Sequence, residues 1–239
     1  MRFLVVAMVC VLSLGAGTAW SDSRAGFMSF REAKQFLKEE VYRPGMRDFY
    51  CGCEIGAIGK KWVVDLEGCG YQVRTNVERA SRIEWEHVVS AADFGRQRPC
   101  WRAGGRKFCE ESVPGFGQMH GDPHNLLPVV GEVNADRGSL RFGMIGPGAG
   151  QGYGQCSSRV DFKAGIFMPR EEARGDVARI NFYFRDRYGM RLSPGQEKLF
   201  SAWSAADPVD RIECWKNVAV WRKTGVQNPH VTAGCSSGR

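Results

Sequence analysis

A carboxylate and an imidazole stand side by side at Glu86 and His87, in the run Ile83-Glu84-Trp85-Glu86-His87-Val88-Val89. Further along, Gly131-Glu132-Val133-Asn134-Ala135-Asp136-Arg137 supplies the amide of Asn134. Carboxylate and amide oxygens suit a hard cation, and two protein ligands leave the remaining positions to water and phosphate. A neutral imidazole, with an ordinary pKa of about 6.5, can take the proton of an attacking water. These parts predict hydrolysis of a phosphodiester, with one Mg²⁺ (Mn²⁺ or Ca²⁺ in its place) on Glu86 and Asn134 and with His87 as general base. Arg106, in Gly104-Gly105-Arg106-Lys107, adds a guanidinium for a bidentate grip on phosphate, and its glycines let the backbone come close.

Neighbouring residues are candidates for support. On a strand Glu86 and His87 would point to opposite faces, so their cooperation needs a strand end, which Ser90-Ala91-Ala92 suits. His124 and Asn125, in Asp122-Pro123-His124-Asn125-Leu126-Leu127-Pro128, are expected to support the site by hydrogen bonding. His120 and His124 have the spacing of some zinc helices, but Gly121 and Pro123 lie between them and argue against a regular helix. His230 reads as structural. Arg137, three residues after Asn134 and on a similar helix face, is expected to reach a neighbouring phosphate. Arg141, Lys107, Arg96 and Arg98 are further candidates. Phosphate contacts carry no sequence information and predict strongly salt-dependent binding.

These residues need elements to hold them. Ser29-Phe30-Arg31-Glu32 is a capping box, followed by Ala33, Leu37 and Val41 on the face of Phe30, and Tyr42-Arg43-Pro44-Gly45 ends that helix. Lys61 to Leu66 reads as a strand, Asn76 to Arg82 as a short helix, and Ile83 to Val89 as a β-prone run. From Gly95 to Pro128 the chain is rich in Gly, Pro and charge and reads as a long irregular stretch. A helix from Gly131 to Gly138 follows, then a Gly-rich stretch to Gly154, then helices to near the end. Pro169 opens the first of these, with Ala173, Val177, Ile180 and Phe184 as its stripe and Gly189 as its stop. Ser193-Pro194-Gly195-Gln196 opens the second. Asp207-Pro208 caps the third, with Ile212, Trp215 and Ala219 facing in and Gly225 ending it. The class is α+β, mostly helical with a small sheet.

The first nineteen residues read as an export signal: a basic start at Arg2, an apolar run from Phe3 to Gly17, and small residues at Gly17-Thr18-Ala19. Their one charge takes the formal +7 of the whole chain to +6, a balance that favours polyanionic partners. Residues 20–239 suit one domain without internal repeat or long linker, soluble once the signal is removed, and expected to act as a monomer. The remaining cysteines are Cys51, Cys53, Cys69, Cys100, Cys109, Cys156, Cys214 and Cys235. An even number in an exported chain argues for disulfides. Cys51 and Cys53 are too close to pair with each other without strain, and Cys100 and Cys109 flank a Gly-rich loop that they could close. A zinc knuckle would prefer Cys-x-x-Cys, which is missing from the sequence.

The central motifs, together with Phe94-Gly95, Met119 to Pro128, Gly152-Tyr153-Gly154-Gln155-Cys156, Val160-Asp161-Phe162-Lys163 and Asn228-Pro229-His230-Val231, resemble the bacterial endonuclease I family across nearly all of the exported chain. That resemblance implies a ββα-metal (His-Me finger) core in a disulfide-stapled, periplasmic or secreted, sequence-non-specific nuclease. It implies cleavage of DNA, and commonly RNA, to 5′-phosphate products. It matches His87 to the general base, Glu86 and Asn134 to the metal ligands, and Arg106 to an arginine near the scissile phosphate. One position departs: where some relatives carry an acidic residue after the methionine, this chain has His120, which is expected to shift metal preference or pH optimum. Two rivals stand beside this reading. An exported, non-catalytic DNA-binding protein would need the basic surface but not Glu86, His87 and Asn134 together. A small-molecule phosphodiesterase or phosphatase would need a deep, narrow pocket.

Overall fold

The computed structural model describes residues 28–235. The export segment expected over residues 1–19 lies outside them. Helix α1 (Phe30–Glu40) starts at Ser29, whose hydroxyl accepts the Glu32 N–H while the Glu32 carboxylate accepts the Ser29 N–H. It buries Ala33, Phe36 and Leu37. A loop follows, organised by the buried carboxylate of Asp48, which accepts backbone N–H groups from Tyr50, Cys51 and Cys53. Strands β1 (Ile55–Ile58) and β2 (Lys61–Val64) form a hairpin. Asn76 caps the single turn of α2 (Val77–Ala80).

β3 (Ile83–His87) ends where Ser90 and Asp93 close a capping box on α3 (Ala91–Gly95). The stretch from Gly95 to Pro128, expected to be irregular, is mostly helical: α4 (Pro99–Ser112), α5 (Pro114–His120) and a 3-10 turn at Pro123–Asn125. Pro99 and Pro114 stand in first turns, where a missing N–H costs nothing. The glycines are absorbed as a break inside α4, where Gly105 takes a φ of +67°. The Cys100–Cys109 disulfide spans that break.

β4 (Leu126–Val130) pairs antiparallel with β3, His87 opposite Leu126 and Glu86 opposite Leu127. Its residues are buried throughout, so the strand carries no alternation. The chain passes at once into α6 (Gly131–Arg137), and β3, β4 and α6 make the ββα unit. Glu84 and Glu86 face α6, while Trp85 packs against Tyr42 and Trp62 on the opposite side.

Helix does not follow Gly154 directly. β5 (Arg141–Phe142), β6 (Gln151–Tyr153), β7 (Cys156–Asp161) and β8 (Ile166–Met168) first build a sheet in the order β5-β8-β7-β6. Cys156, Ser158 and Val160 turn inward along β7, a strand period directly after the Gly-rich stretch. Helices α7 (Arg174–Tyr188), α8 (Pro194–Ala206), α9 (Arg211–Thr224) and α10 (Pro229–Cys235) complete the chain. Gly189 and Gly225 end α7 and α9 in the left-handed conformation. The cap of α9 is Asp210, not Asp207, and its inner face is Lys216, Asn217, Val220 and Thr224. Ile212 and Trp215, expected to face in, are exposed. The polar residues win the inner face because backbone carbonyls wait there: the Lys216 ammonium donates to the carbonyls of His124 and Leu126, each at 3.0 Å.

Among the described residues all eight cysteines pair, as Cys51–Cys156, Cys53–Cys69, Cys100–Cys109 and Cys214–Cys235. No described helix is long and apolar enough to cross a membrane. On its far side α6 is moored by Glu132. Its buried carboxylate accepts the Tyr71 hydroxyl at 2.8 Å and the N–H groups of Arg74, Thr75 and Asn76 at 3.1, 2.6 and 2.6 Å. Replacing Glu132 by Ala strands those donors at a cost of about 1–3 kcal/mol for each left unsatisfied. Glu132→Ala should therefore lose at least about 4 kcal/mol of stability, read as a lower urea midpoint at unchanged m-value.

Candidate functional site

His87 closes β3, and the face it shares with Trp85 turns it toward α1 rather than α6. Its ring lies 4.8 Å from that of Phe30 and stacks on His120 at 4.6 Å, with 12° between the planes. Nε2 is 2.8 Å from the backbone carbonyl of His120. A carbonyl can only accept, so Nε2 carries the hydrogen and Nδ1 is left with a lone pair. Burial pushes the imidazolium down to about 3, the His120 carbonyl pulling against it and the charges of His120, Arg106 and Arg137 adding to the fall. The ring is neutral at any physiological pH, with one nitrogen free to take a proton.

Arg106 reaches this group through His120. Its Nη2 touches His120 Nε2, and its Nε donates to Glu110 at 2.8 Å. A guanidinium can only donate, so His120 carries its hydrogen on Nδ1, which faces Glu110 at 3.8 Å. Burial and Arg106 hold His120 down to about 4. Arg106 keeps about half its side chain exposed, 49%, so it can still meet a phosphate. The break at Gly104 and Gly105 turns this part of α4 toward α5. Phe30, read from sequence only as part of a core face, forms the other wall, with the Lys34 ammonium 4.3 Å above its ring.

Glu86 points the other way. Its buried Oε1 accepts the Tyr50 hydroxyl at 2.9 Å and lies 3.2 Å from Arg137 Nη1. Burial raises its carboxyl to about 7, although Arg137 and Tyr50 pull it down. The Asn134 amide does not meet Glu86: its Nδ2 donates to Glu84 Oε2 at 2.8 Å. Glu84 is held in turn by Arg79 and Arg82. Sequence reading left Glu84 out, though its signal was present, because it stands two residues before Glu86 on the same strand face.

Arg137 is the clear correction. Read as a phosphate contact, it is only 1% exposed and donates to the carbonyls of His87 at 2.8 Å and Val88 at 2.5 Å, beside Glu86. Arg98 is likewise engaged, with the Tyr188 carbonyl and the Met119 sulfur. Lys107, Arg141 and Arg96 are exposed. Asn125 clamps the chain just beyond His87: its side chain accepts the Val89 N–H at 2.7 Å and donates to the Val89 carbonyl at 2.9 Å. His124 is buried farther off, its Nε2 on the Val226 carbonyl at 3.2 Å. His230 pairs with Asp186 at 2.7 Å.

The donor set suits a hard cation. The Asn134 nitrogen is committed to Glu84, which leaves the amide oxygen as the end offered outward, and Glu86 adds a carboxylate. Among the described residues no cluster of three or more His, Cys, Asp or Glu gathers into a ready cage. A cation here would keep water and substrate oxygens in its shell. Cavities of about 400 and 580 Å³ open elsewhere, and neither is lined by His87, Arg106 or Asn134.

The sequence model of the family described as Endonuclease I matches residues 29–235. An extracellular deoxyribonuclease of Aeromonas hydrophila is 42% identical over 98% of this chain and 99% of its own length. A periplasmic deoxyribonuclease of the same organism is 45% identical over 87% of this chain and 86% of its own. Endonuclease-1 of Buchnera aphidicola subsp. Acyrthosiphon pisum (strain APS) is 39% identical over 87% and 82%.

The buried His124 gives the region a measurable pH signature. Burial pushes it down to about 4, whereas the unfolded chain holds its proton up to about 6.5. Between those values the unfolded state binds the extra proton, so stability falls as pH drops from 6.5 to 4. The full loss is at most about 3 kcal/mol. In His124→Gln, urea midpoints should fall less steeply than in the wild type across that window, and the two should run parallel above pH 7.

Proposed function

We propose, since this chain belongs to the bacterial endonuclease I family and is an endonuclease, that it is a metal-dependent, sequence-non-specific nuclease with His87 as its general base. Its substrates are DNA and, by the same phosphate chemistry, RNA. The observation that carries this reading is the locked tautomer of His87: Nε2–H is tied to the His120 carbonyl, so Nδ1 is the proton acceptor. Arg137 and Asn125 fix the backbone from His87 to Val89, just beyond that ring.

The step follows from these groups. Water attacks the phosphorus and gives its proton to His87 Nδ1. The bond from phosphorus to the 3′-oxygen breaks, the 3′-oxygen takes a proton from solvent, and the product keeps a 5′-phosphate. Arg106 grips a non-bridging oxygen, and its contact with His120 keeps it beside the base. Glu86 and Asn134 would hold one divalent cation, Mg²⁺ in the first instance with Mn²⁺ or Ca²⁺ as alternatives. Bound there, it would stabilise the charge that builds on the phosphorane and the leaving oxygen. Lys107 and Arg141 contact flanking phosphates. Residues 20–239 act as a single monomeric domain, exported by residues 1–19 to the periplasm or the medium.

Nicking of supercoiled plasmid by the oxidised protein tests this directly. Cleavage should need Mg²⁺, stop with EDTA, and fall at least about 100-fold in His87→Ala, with DNA still bound. Cleavage that survives His87→Ala unchanged would reject the assignment of the base. Binding, measured by fluorescence anisotropy, should weaken along a straight line of log affinity against log salt. Lys107→Ala and Arg141→Ala should each reduce that slope by about 1.

A further inference from the structure

We propose that Glu84 is a positioning residue, whose carboxylate accepts the Asn134 amide N–H and so presents the amide oxygen, not the nitrogen, to a divalent cation. The inference rests on the reading of Asn134 as a metal ligand, and goes beyond it by naming what makes Asn134 fit to be one.

An asparagine amide has two ends of nearly equal size and opposite chemistry. Its oxygen accepts and can ligate a hard cation; its NH₂ only donates and cannot. Shape alone does not choose between them, so a ligating asparagine needs a partner that accepts from the nitrogen. Glu84 is that partner, 2.8 Å from Nδ2. The reverse orientation would set the amide oxygen against a carboxylate, two acceptors in contact with no hydrogen between them.

Glu84 is itself unable to turn away. Its Oε1 accepts from Arg79 Nε and Arg82 Nε, both at 3.0 Å, and its Oε2 meets Arg79 Nη2 as well as Asn134. Arg79 closes α2 in the segment leading into β3, and Arg82 lies in the turn between the two. The order runs from arginine pair to carboxylate to amide, each link admitting one direction of hydrogen bonding. Metal-ligating side chains commonly depend on such outer partners, whose loss costs about 10- to 100-fold in metal affinity.

The two arginines also determine what a substitution would do. In Glu84→Gln, the two Nε–H groups that meet Oε1 hold the new amide oxygen, so the glutamine nitrogen faces residue 134, and Arg79 Nη2, which cannot donate to that nitrogen, must turn to solvent. Asn134 must then turn its oxygen inward to accept. Adding Asn134→Asp repairs this, because one aspartate oxygen accepts from the glutamine nitrogen while the other remains for the cation.

The experiment is Mn²⁺ binding to the full mature protein, followed by electron paramagnetic resonance of free Mn²⁺, with melting temperature as the control for folding. Glu84→Gln should weaken Mn²⁺ about 10- to 100-fold at a near-unchanged melting temperature. Glu84→Gln with Asn134→Asp should return to within about threefold of the wild type. Wild-type affinity in Glu84→Gln, with Asn134→Ala still weakened, would overturn the role of Glu84 alone. Unchanged affinity in Asn134→Ala would overturn the ligand assignment and this inference with it. Should Glu84→Gln fail to fold, the wild-type protein decides by NMR. The Asn134 side-chain NH₂ pair should stay protected from exchange before and after Mg²⁺ is added. Free exchange in either state would overturn the proposal.

Discussion

The guanidinium of Arg137 is the contact on which the ββα unit turns. A charge buried to 1% exposure costs several kcal/mol unless it is paired and hydrogen-bonded. Here the compensation comes from the carboxylate of Glu86 and from the carbonyls of His87 and Val88, with the ring of Phe142 4.6 Å from the guanidinium. Asp93, from the capping box of α3, stands 3.8 Å away. One side chain thus fastens the end of α6 to the end of β3 and to the entry of the next helix. Arginine suits the task because its planar fork meets several acceptors at once and keeps its charge in the interior. The carbonyls of His87 and Val88 are drawn toward α6, while the Val88 N–H still reaches across to the Asn125 carbonyl at 3.1 Å.

This arrangement divides β3 into two environments. The side facing α6 carries Glu84 and Glu86, each against arginine. The side facing α1 carries His87 between Phe30 and His120, with Arg106 and Arg137 near enough to disfavour a charge on its ring. A carboxylate on the imidazole would raise its pKa and favour the charged form. Aromatic walls and nearby arginines do the reverse and keep the ring neutral, the form that can accept a proton. The one polar tie on the ring is a backbone carbonyl, which sets the tautomer without supplying charge.

Features governed by neighbours in sequence were legible before the structure. The capping boxes at Ser29 and Ser193 and the glycine stops at Gly189 and Gly225 depend on residues within a turn of one another, and all four occur. Glu86, His87 and Asn134 stood out in the sequence as residue types in motifs. Their partners did not. Arg137 reads as a surface cation until α6 is laid across β3, and Asn134 reads as a partner of Glu86 until the strand register sets Glu84 beneath it. The stretch from Gly95 to Pro128 lacks an apolar period because its helices are short, and α4 is broken at its glycines. α9 misleads for the opposite reason, since polar side chains are wanted inside, where Lys216 serves two carbonyls.

The disulfides fall where local structure is least able to hold itself. A two-stranded pair is marginal in water, and much of what positions the site is a pair, a single turn or a loop. Cys51–Cys156 and Cys53–Cys69 bracket the loop that carries Tyr50 to Glu86, joining it to β7 and to the turn after β2. Cys100–Cys109 holds the broken helix that carries Arg106 to His120. Closing a loop of about 15 residues is worth ~3 kcal/mol in the chain-entropy account, comparable to a large part of a domain's net stability. Tyr50 and Arg106 are each delivered by a loop or a broken helix with a crosslink beside it. The packed core gives less support there, so the geometry of His87 and its neighbours depends on oxidised cysteines as well as on the buried arginine.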